Sequence, residues 1–586
     1  GCPITFSRTT ATEEEGIYQV VVQYTEEAVG KLALEWAEKL CLAVKDQTAF
    51  DLNQALTELR DLDEDVRLGP STGSIVDAAV LKGIPYRRLT EGSMVQFGWG
   101  SKQRRIQAAE TDTTSAIAES IAQDKDLTKS LLLAAGLPVP IGRPAKNLED
   151  AWQIALSIGL PIVVKPQDGN QGKGVTVNIV ERELFNQAYE TAARYGEVLV
   201  EKFLPGSDYR LLVVGNKLVA AARREPPLVV GDGIHTVKEL VDKVNADPRR
   251  GDGHSTSLTK IKFDDIAIGR LKLQDMEPNS IPEKGRRVIL RNNANLSTGG
   301  TATDVTDDVH AEVAARVVVA AQMVGVDVCG VDVVCESVLK PLEEQNGGIV
   351  EVNAAPGLRM HISPSFGKGR NVGKAIIDYM YPNGDNGRIP VIAVTGTNGK
   401  TSVSTFARQI WEKLQIAGVN LGTTGVEGAW SHPLKHTTPE PITLHRVMAE
   451  ATAEGITHVA MEASSHGLDQ RRLDGVILAA AAFTNFTQDH LDYHETFEAY
   501  FQAKMGLFTR VLPDDGVAVI NLDDPKGVQV AHICADRGQE VIGVGCHPDA
   551  RLRLTGQRFD ATGQDLLFTW QGRAHQARLN LIGGFQ

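Results

Sequence analysis

The segment VIAVTGTNGKTS, residues 391–402, constrains the fold of this 586-residue chain more than any other. An apolar run leads into a glycine turn and then into a helix-forming stretch, so it reads as strand, phosphate loop and helix. Gly396 and Gly399 free the backbone to turn its N–H groups toward an anion, with Thr395, Thr397 and Asn398 completing the loop. Lys400 is placed to reach β- and γ-phosphates, and Thr401 to ligate magnesium. Only Thr397 and Asn398 separate the two glycines, where the usual loop has four residues. Such a loop calls for a parallel sheet, and the apolar runs HVAMEA, VILAAAAF and GVAVINLDD, spaced by helical stretches, supply one. Residues 388–586 are therefore expected to form a doubly wound domain whose sheet is buried on both faces.

That domain is only part of the chain, because about 100–200 residues per domain predicts three or more domains. The stretch PNGDNGRIP, rich in turn residues, reads as a linker, and no fixed-period repeat relates the two sides of it. Before it, residues 67–387 alternate short apolar strands (PIVVKP, EVLVEKF, KLVAAARR, GIVEVN) with helical stretches such as DDVHAEVAARVVVAAQMVG, an α/β or α+β pattern. Residues 1–66 read as a strand, IYQVVVQY, and an amphipathic helix with Ala28, Leu32, Trp36 and Leu40 at every fourth position. This is a small α+β piece of structural or docking character.

A second candidate site lies in residues 129–357. Lys165 closes the strand PIVVKP ahead of the loop DGNQGKGV, in which Gly169, Gly172 and Gly174, with Lys173 among them, allow close approach to a phosphate chain. Glu201, at the end of VLVEKF, could present strand backbone to adenine, and Asp208 could accept ribose hydroxyls. In GIVEVN the i, i+2 spacing puts Glu351 and Asn353 on one strand face, and Asp332 in CGVDVV can add a third oxygen. Three hard oxygen ligands suit magnesium when triphosphate and water fill its other positions.

Composition removes several alternatives. A formal net charge of -14 argues against a general nucleic-acid binder. A hydrophobic content of 42% is ordinary for packed domains and excludes disorder. Six cysteines without a CxxC pair fit a reduced, cytosolic compartment. No apolar run is long enough to span a bilayer, and the first ten residues lack the pattern of a signal peptide. Gly1 and the closing IGGFQ both read as cut ends.

Lys129, Lys165, the glycine loop, EKFLPG, LRNNANLSTGGTATDVTD, GVDVV and VEVNAAPG resemble, in order and spacing across roughly 300 residues, the ATP-grasp domain of the cyanophycin synthetase family. GPSTGSIVDAA, MVQFGWGSKQRRIQAA and the RGDGH segment share that resemblance, whereas glutathione-type ligases are expected to share mainly the LRNNANLSTGG region. The resemblance implies that Lys129 and Lys165 hold the α- and β-phosphates of ATP, that Arg291 steadies charge on the transferring phosphate, and that His254 and Arg210 lie near the incoming substrates.

The short phosphate loop is the form found in Mur ligases and folylpolyglutamate synthetases. Resemblance to Mur ligases assigns Glu462 to the nucleotide magnesium, His490 to a second magnesium, Asn521 to adenine, and Asn485 to the same nucleotide site. It makes Lys504 a carbamylated lysine, an oxygen donor to metal, where the residues alone read as a solvated helix lysine. Thr437 and Thr438 in HTTPEP match an acceptor-binding loop, and MEASSHGL and TTPEP look closer to the cell-wall tripeptide-ligase branch. The final GGFQ resembles the start of the segment before the Mur C-terminal domain, which is expected to be missing.

Together the resemblances imply an ATP- and Mg2+-dependent ligase. The first site would add aspartate to a growing Asp–Arg polymer, and the second would couple arginine to its β-carboxylates. A cytoplasmic homo-oligomer without nucleic-acid or membrane partners is implied. The alternatives are a UDP-muramyl peptide ligase fused to a glutathione-synthetase-like ATP-grasp ligase, and a non-catalytic scaffold.

Overall fold

The computed structural model describes residues 6–12, 14, 16–167, 174–251, 258–291, 294–488 and 493–581. It divides into two compact units, Gly1–Phe97 with Arg104–Asn386, and Gly98–Gln103 with Gly387–Gln586.

The first unit begins with the hairpin Ser7–Ala11 and Tyr18–Val22 and the helices Glu27–Asp46 and Leu52–Val66. The expected helical stripe is only half covered. Ala28 and Leu40 are exposed and Leu32 and Trp36 half-buried, Trp36 packing edge-on against Phe50 at 5.8 Å between ring centres. The stripe has the right period, but the facing helix covers only part of it.

Two antiparallel sheets make the body of this unit. One has the order Gly142–Ala145, Val198–Lys202, Ile162–Pro166, Thr176–Ile179. The other has the order Thr301–Asp304, Lys217–Glu225, Ser207–Val214, Val328–Cys335, Gly348–Asn353. The helix Ala311–Val324 packs on the second sheet through Val313, Val317, Ala320, Ala321 and Val324, spaced three and four apart, and ends at Gly325 in the left-handed region, φ 85°. Each of its buried valines contributes about 1.5–3 kcal/mol relative to exposure. This packing stiffens the strands that carry Arg210, Arg224 and Asp332.

The second unit holds a ten-stranded sheet. Its parallel part runs Gly418–Gly422, His458–Glu462, Val391–Thr395, Ala480–Phe483, Val517–Asn521, Glu540–Gly545, Leu552–Asp560, with Gly425–Gly428 antiparallel at one edge. The doubly wound expectation holds for this part. It does not extend to the end of the chain, because Leu552–Asp560, Gly563–Trp570 and Arg573–Leu579 form an antiparallel meander with much of its surface exposed, Leu567 among it. The chain leaves Val391–Thr395 toward one flank and returns for Ala480–Phe483 on the other, so the C-terminal ends of these strands flank a topological switch point, where α/β sheets bind ligands. Among the described residues, no helix is long and apolar enough to cross a membrane.

Candidate active sites

Between the two sheets of the first unit lies a cavity of about 610 Å³. Val163 stands directly opposite Glu201 in the antiparallel pairing of Ile162–Pro166 with Val198–Lys202. Lys165, two residues along, therefore shares that face and sits diagonally from Glu201. Its Nζ lies 2.8 Å from Glu201 Oε2. Lys129 reaches the other oxygen, Glu201 Oε1, from the helix Lys125–Ala134, which Asp124 caps through the amides of Asp126 and Leu127. Both lysines are 8% exposed and Glu201 is 2% exposed. Burial pulls the Lys129 ammonium down to about 8. Burial, reinforced by the Lys129 charge, takes Lys165 well below its usual value.

On the facing sheet, register again sets the partners. Arg210 stands opposite Asp332, and Arg224 opposite Asp208. Arg210 pairs with Asp332, its Nη2 donating at 3.0 Å, while Arg224 Nη2 bridges Asp208 at 2.6 Å and Asp332 at 3.1 Å. Burial alone would raise the Asp332 carboxyl, but the two guanidiniums outweigh it and hold it below the usual carboxylate range. Asp208 is raised, burial outweighing Arg224. Glu351 stands opposite Asp332, and Glu351 and Asn353 both line the cavity, as their spacing predicts.

The structure thus gathers Lys165, Glu201, Asp208, Arg210, Asp332, Glu351 and Asn353 around one cavity, with Lys129 held against it by Glu201. Arg291 is 2.6 Å from Asp264 and is not among the lining residues. Gly174 has φ 72°, and a Cβ there would come within 2.8 Å of Tyr195, so glycine is required. Gly169, Gly172, Lys173, His254 and His490 lie outside the described residues. Sequence reading missed Arg224 and the lysine-binding role of the Glu201 side chain. Both were open to detection only through strand register.

In the second unit the loop after Val391–Thr395 closes on itself. Gly396 has φ 146°, and a Cβ there would lie 1.9 Å from Thr484 Oγ1. Gly399, at φ 87°, precedes the helix Lys400–Lys413. Lys400 Nζ donates to the carbonyls of Gly396 at 3.1 Å and Thr397 at 2.9 Å. Thr395 is fully buried and donates to Ala463 O at 2.9 Å. The Asn485 side chain accepts from the Asn398 amide at 3.0 Å, and Asn521 Nδ2 donates to Thr484 O at 2.7 Å.

Thr401 Oγ1 donates to Glu462 Oε2 at 2.8 Å, and the Thr423 amide donates to Glu462 Oε1 at 2.9 Å. Gly422 makes this possible, because a Cβ there would lie 1.9 Å from Glu462 Oε1. Thr423 was not singled out from sequence, although it follows directly on the strand end Gly418–Gly422. Thr437 and Thr438 reach the same place, Thr437 Oγ1 lying 3.1 Å from Thr423 Oγ1 and Thr438 Oγ1 donating to Glu462 O at 2.9 Å.

Lys504 corrects the surface reading of its residue type. It is 1% exposed, donates to Gly396 O at 2.8 Å and lies 4.6 Å over the Tyr500 ring. The helix Phe497–Gly506 buries Tyr500, Phe501, Ala503, Lys504 and Met505 but leaves apolar Phe497 and Ala499 exposed beside Glu498 and Gln502, so its sequence shows no clean amphipathic pattern.

The folds define the class, an ATP-grasp-type unit joined in one chain to a Mur ligase-type unit. Residues 394–586 match the family described as Mur ligase middle domain, and residues 124–210 match the carbamoyl-phosphate synthase L chain, ATP binding domain. Over 546 residues, 89% of its length, the chain is 39% identical to a cyanophycin synthetase from Crocosphaera subtropica. It covers 61% of that protein, so it spans about three-fifths of the length of the relative it matches. It is also 44% identical over 200 residues, 33% of this chain and 41% of the other, to the UDP-N-acetylmuramoyl-L-alanyl-D-glutamate--2,6-diaminopimelate ligase of Bradyrhizobium diazoefficiens. A glutathione biosynthesis bifunctional protein from Clostridium perfringens is 35% identical over 324 residues, 54% of this chain and 41% of its own. That span corrects the expectation that such ligases share mainly the LRNNANLSTGG region.

Proposed function

We propose that the chain is the two-site ligase part of a cyanophycin synthetase, with an aspartate-adding site in the first unit and an arginine-adding site in the second. One observation carries the reading: a single chain presents two separate candidate sites, each with two lysines converging on one acceptor, three of the four buried and Lys400 half-buried, and a nucleotide triphosphate suits both. The likeness to cyanophycin synthetases along nine-tenths of the chain supports the substrate choice.

Ligation of this kind needs a carboxylate activated by phosphoryl transfer before an amine can displace the phosphate. In the first site Lys129 and Lys165 are placed for the phosphate chain, and Arg210 and Arg224 for the charge of the activated carboxylate. Arg291 and His254 keep the roles implied by resemblance. Among the described residues, no three His, Cys, Asp or Glu side chains converge as a ready-made metal site. Magnesium fits under that condition, because it takes few protein oxygens and completes its shell with phosphate and water. The oxygens that would hold it are Glu351 and Asn353 in the first unit, beside Asp332, whose two oxygens are here paired with Arg210 and Arg224, and Thr401 and Glu462 in the second, with His490 and a carbamylated Lys504 as further donors there. Bound magnesium would neutralise phosphate charge. Asn485 and Asn521 would contact the nucleoside, and Thr437 and Thr438 the acceptor. Aspartate, arginine and the Asp–Arg polymer are the partners of this reading, in a cytoplasmic homo-oligomer.

The test is ATP turnover on a short Asp–Arg primer with aspartate, arginine or both. Lys165→Ala should abolish aspartate addition and spare arginine addition, and Lys400→Ala should do the reverse. The opposite split would overturn the assignment. A UDP-linked muramyl peptide that served as the better acceptor would replace the arginine-adding reading, which the 44% identity of the second unit makes worth including.

A further inference from the structure

Glu201 sits where three elements meet, and the chain pays attention to its exact rotamer through a neighbour without a side chain. Gly142 stands directly opposite Glu201 in the strand pairing, and a Cβ there would come within 2.6 Å of Glu201 Cγ and 2.4 Å of Val200 O. The bare Gly142 backbone leaves room for the Glu201 side chain to lie over it, and the carboxylate sits between Lys129 and Lys165, with one oxygen for each ammonium. An adenine-facing role for this strand needs only its backbone, so the side-chain geometry is left over.

We propose that Glu201 is a positioning residue of the first site, a shared counter-ion whose carboxylate keeps both phosphate-binding lysines charged and side by side before nucleotide arrives. The proposal rests on the reading of that cavity as the nucleotide site. Two ammoniums at 8% exposure repel each other and are poorly solvated, so without a carboxylate between them one sheds its proton. Burial already depresses both lysines, and Lys125 depresses them further, while Asp126 supports Lys129 and Glu351 supports both from the second sheet. Glu201 is the only one of these acids in ion-pair contact with either lysine among the described residues. Arriving phosphate then takes over a role the carboxylate has held, and no proton has to be found at the moment of binding.

The experiment measures proton uptake when a non-hydrolysable ATP analogue with magnesium binds, by calorimetry at pH 7 in buffers of different ionisation heat. It uses the full chain carrying Lys400→Ala, so that the first site is read. The parent should take up close to no proton, and Glu201→Gln close to one. Affinity in Glu201→Gln should then fall about tenfold per pH unit above neutrality. Glu201→Asp should return toward the parent, and Gly142→Ala, which moves the carboxylate without removing it, should take up an intermediate fraction. Equal uptake in the parent and Glu201→Gln would overturn the proposal, as would a Glu201→Gln protein whose affinity fell by the same factor at every pH. The underlying reading fails separately, if Lys165→Ala in the same background binds the analogue as tightly as its parent.

Discussion

Both units bring two lysines to one acceptor, but the acceptors differ in kind. In the first unit Lys129 and Lys165 share a carboxylate, Glu201, and the facing sheet answers with Arg210 and Arg224 around Asp332. In the second unit Lys400 and Lys504 share a backbone carbonyl, that of Gly396. The first arrangement holds charge with charge, through side chains placed by strand register. The second holds charge with peptide dipoles, and so depends on the path of one loop. Removing a charge should therefore damage the first site most, and adding a methyl group should damage the second.

The largest effect is expected from Asp332→Asn. It leaves two largely buried guanidiniums facing each other without their shared anion, and breaking a buried pair in this way costs about 3–5 kcal/mol. Hydrogen exchange of the strands Ser207–Val214 and Val328–Cys335 should speed up accordingly while the second unit's strands stay protected. Next comes Gly396→Ala. Its positive φ costs about 1–3 kcal/mol in a non-glycine residue, before the overlap with Thr484 is counted. Nucleotide affinity at the second site should fall at least tenfold, and nucleotide affinity at the first site should be unchanged. If Asp332→Asn were the milder change for its own site, the contrast between the units would be wrong.

The same contrast explains what could be read in the sequence. The phosphate loop was legible because its chemistry is local: glycines, lysine and threonine follow one another within a single turn. The shared face of Glu351 and Asn353 was legible for the same reason, a period of two along one strand. Arg224 and the lysine pairing of Glu201 were not, because each depends on which strand lies alongside and at what offset, a property of the whole sheet. Lys504 was named only through resemblance, because a helix that buries a lysine and exposes Phe497 and Ala499 carries no clean apolar face to read. The meander at Leu552–Leu579 escaped because its strands, exposed over much of their surface, carry no strong apolar alternation.

A third, smaller effect concerns acid. His361 is 3% exposed beside the Arg210 and Arg224 charges, and burial, with Arg210 next, lowers it to about 3. Its folded value lies below its unfolded value of about 6.5, so between those limits the unfolded chain binds the extra proton and stability falls as pH falls. The loss between pH 7 and pH 5 should be about 2 kcal/mol, read by denaturant unfolding of the first unit. His361→Leu should flatten that slope. A slope unchanged by the substitution would mean that other groups set the acid response of the charged site.

The smallest effect separates the dipole-held site from the charged one most cleanly. Thr438 is 1% exposed, and its hydroxyl donates to Glu462 O at 2.9 Å while accepting from the Ser464 amide at 3.1 Å. Valine has nearly the same shape and neither bond, so Thr438→Val should cost about 1 kcal/mol. These backbone partners, and the Ser464 hydroxyl that also donates to Thr438 at 3.1 Å, are neutral, and a neutral hydrogen bond is not screened by mobile ions as separated charges are. The cost should therefore be the same at low and high salt, measured as the change in local exchange at the strand His458–Glu462. A cost that shrank with salt would show that the Glu462 charge takes part in holding this loop, and the second site would then resemble the first.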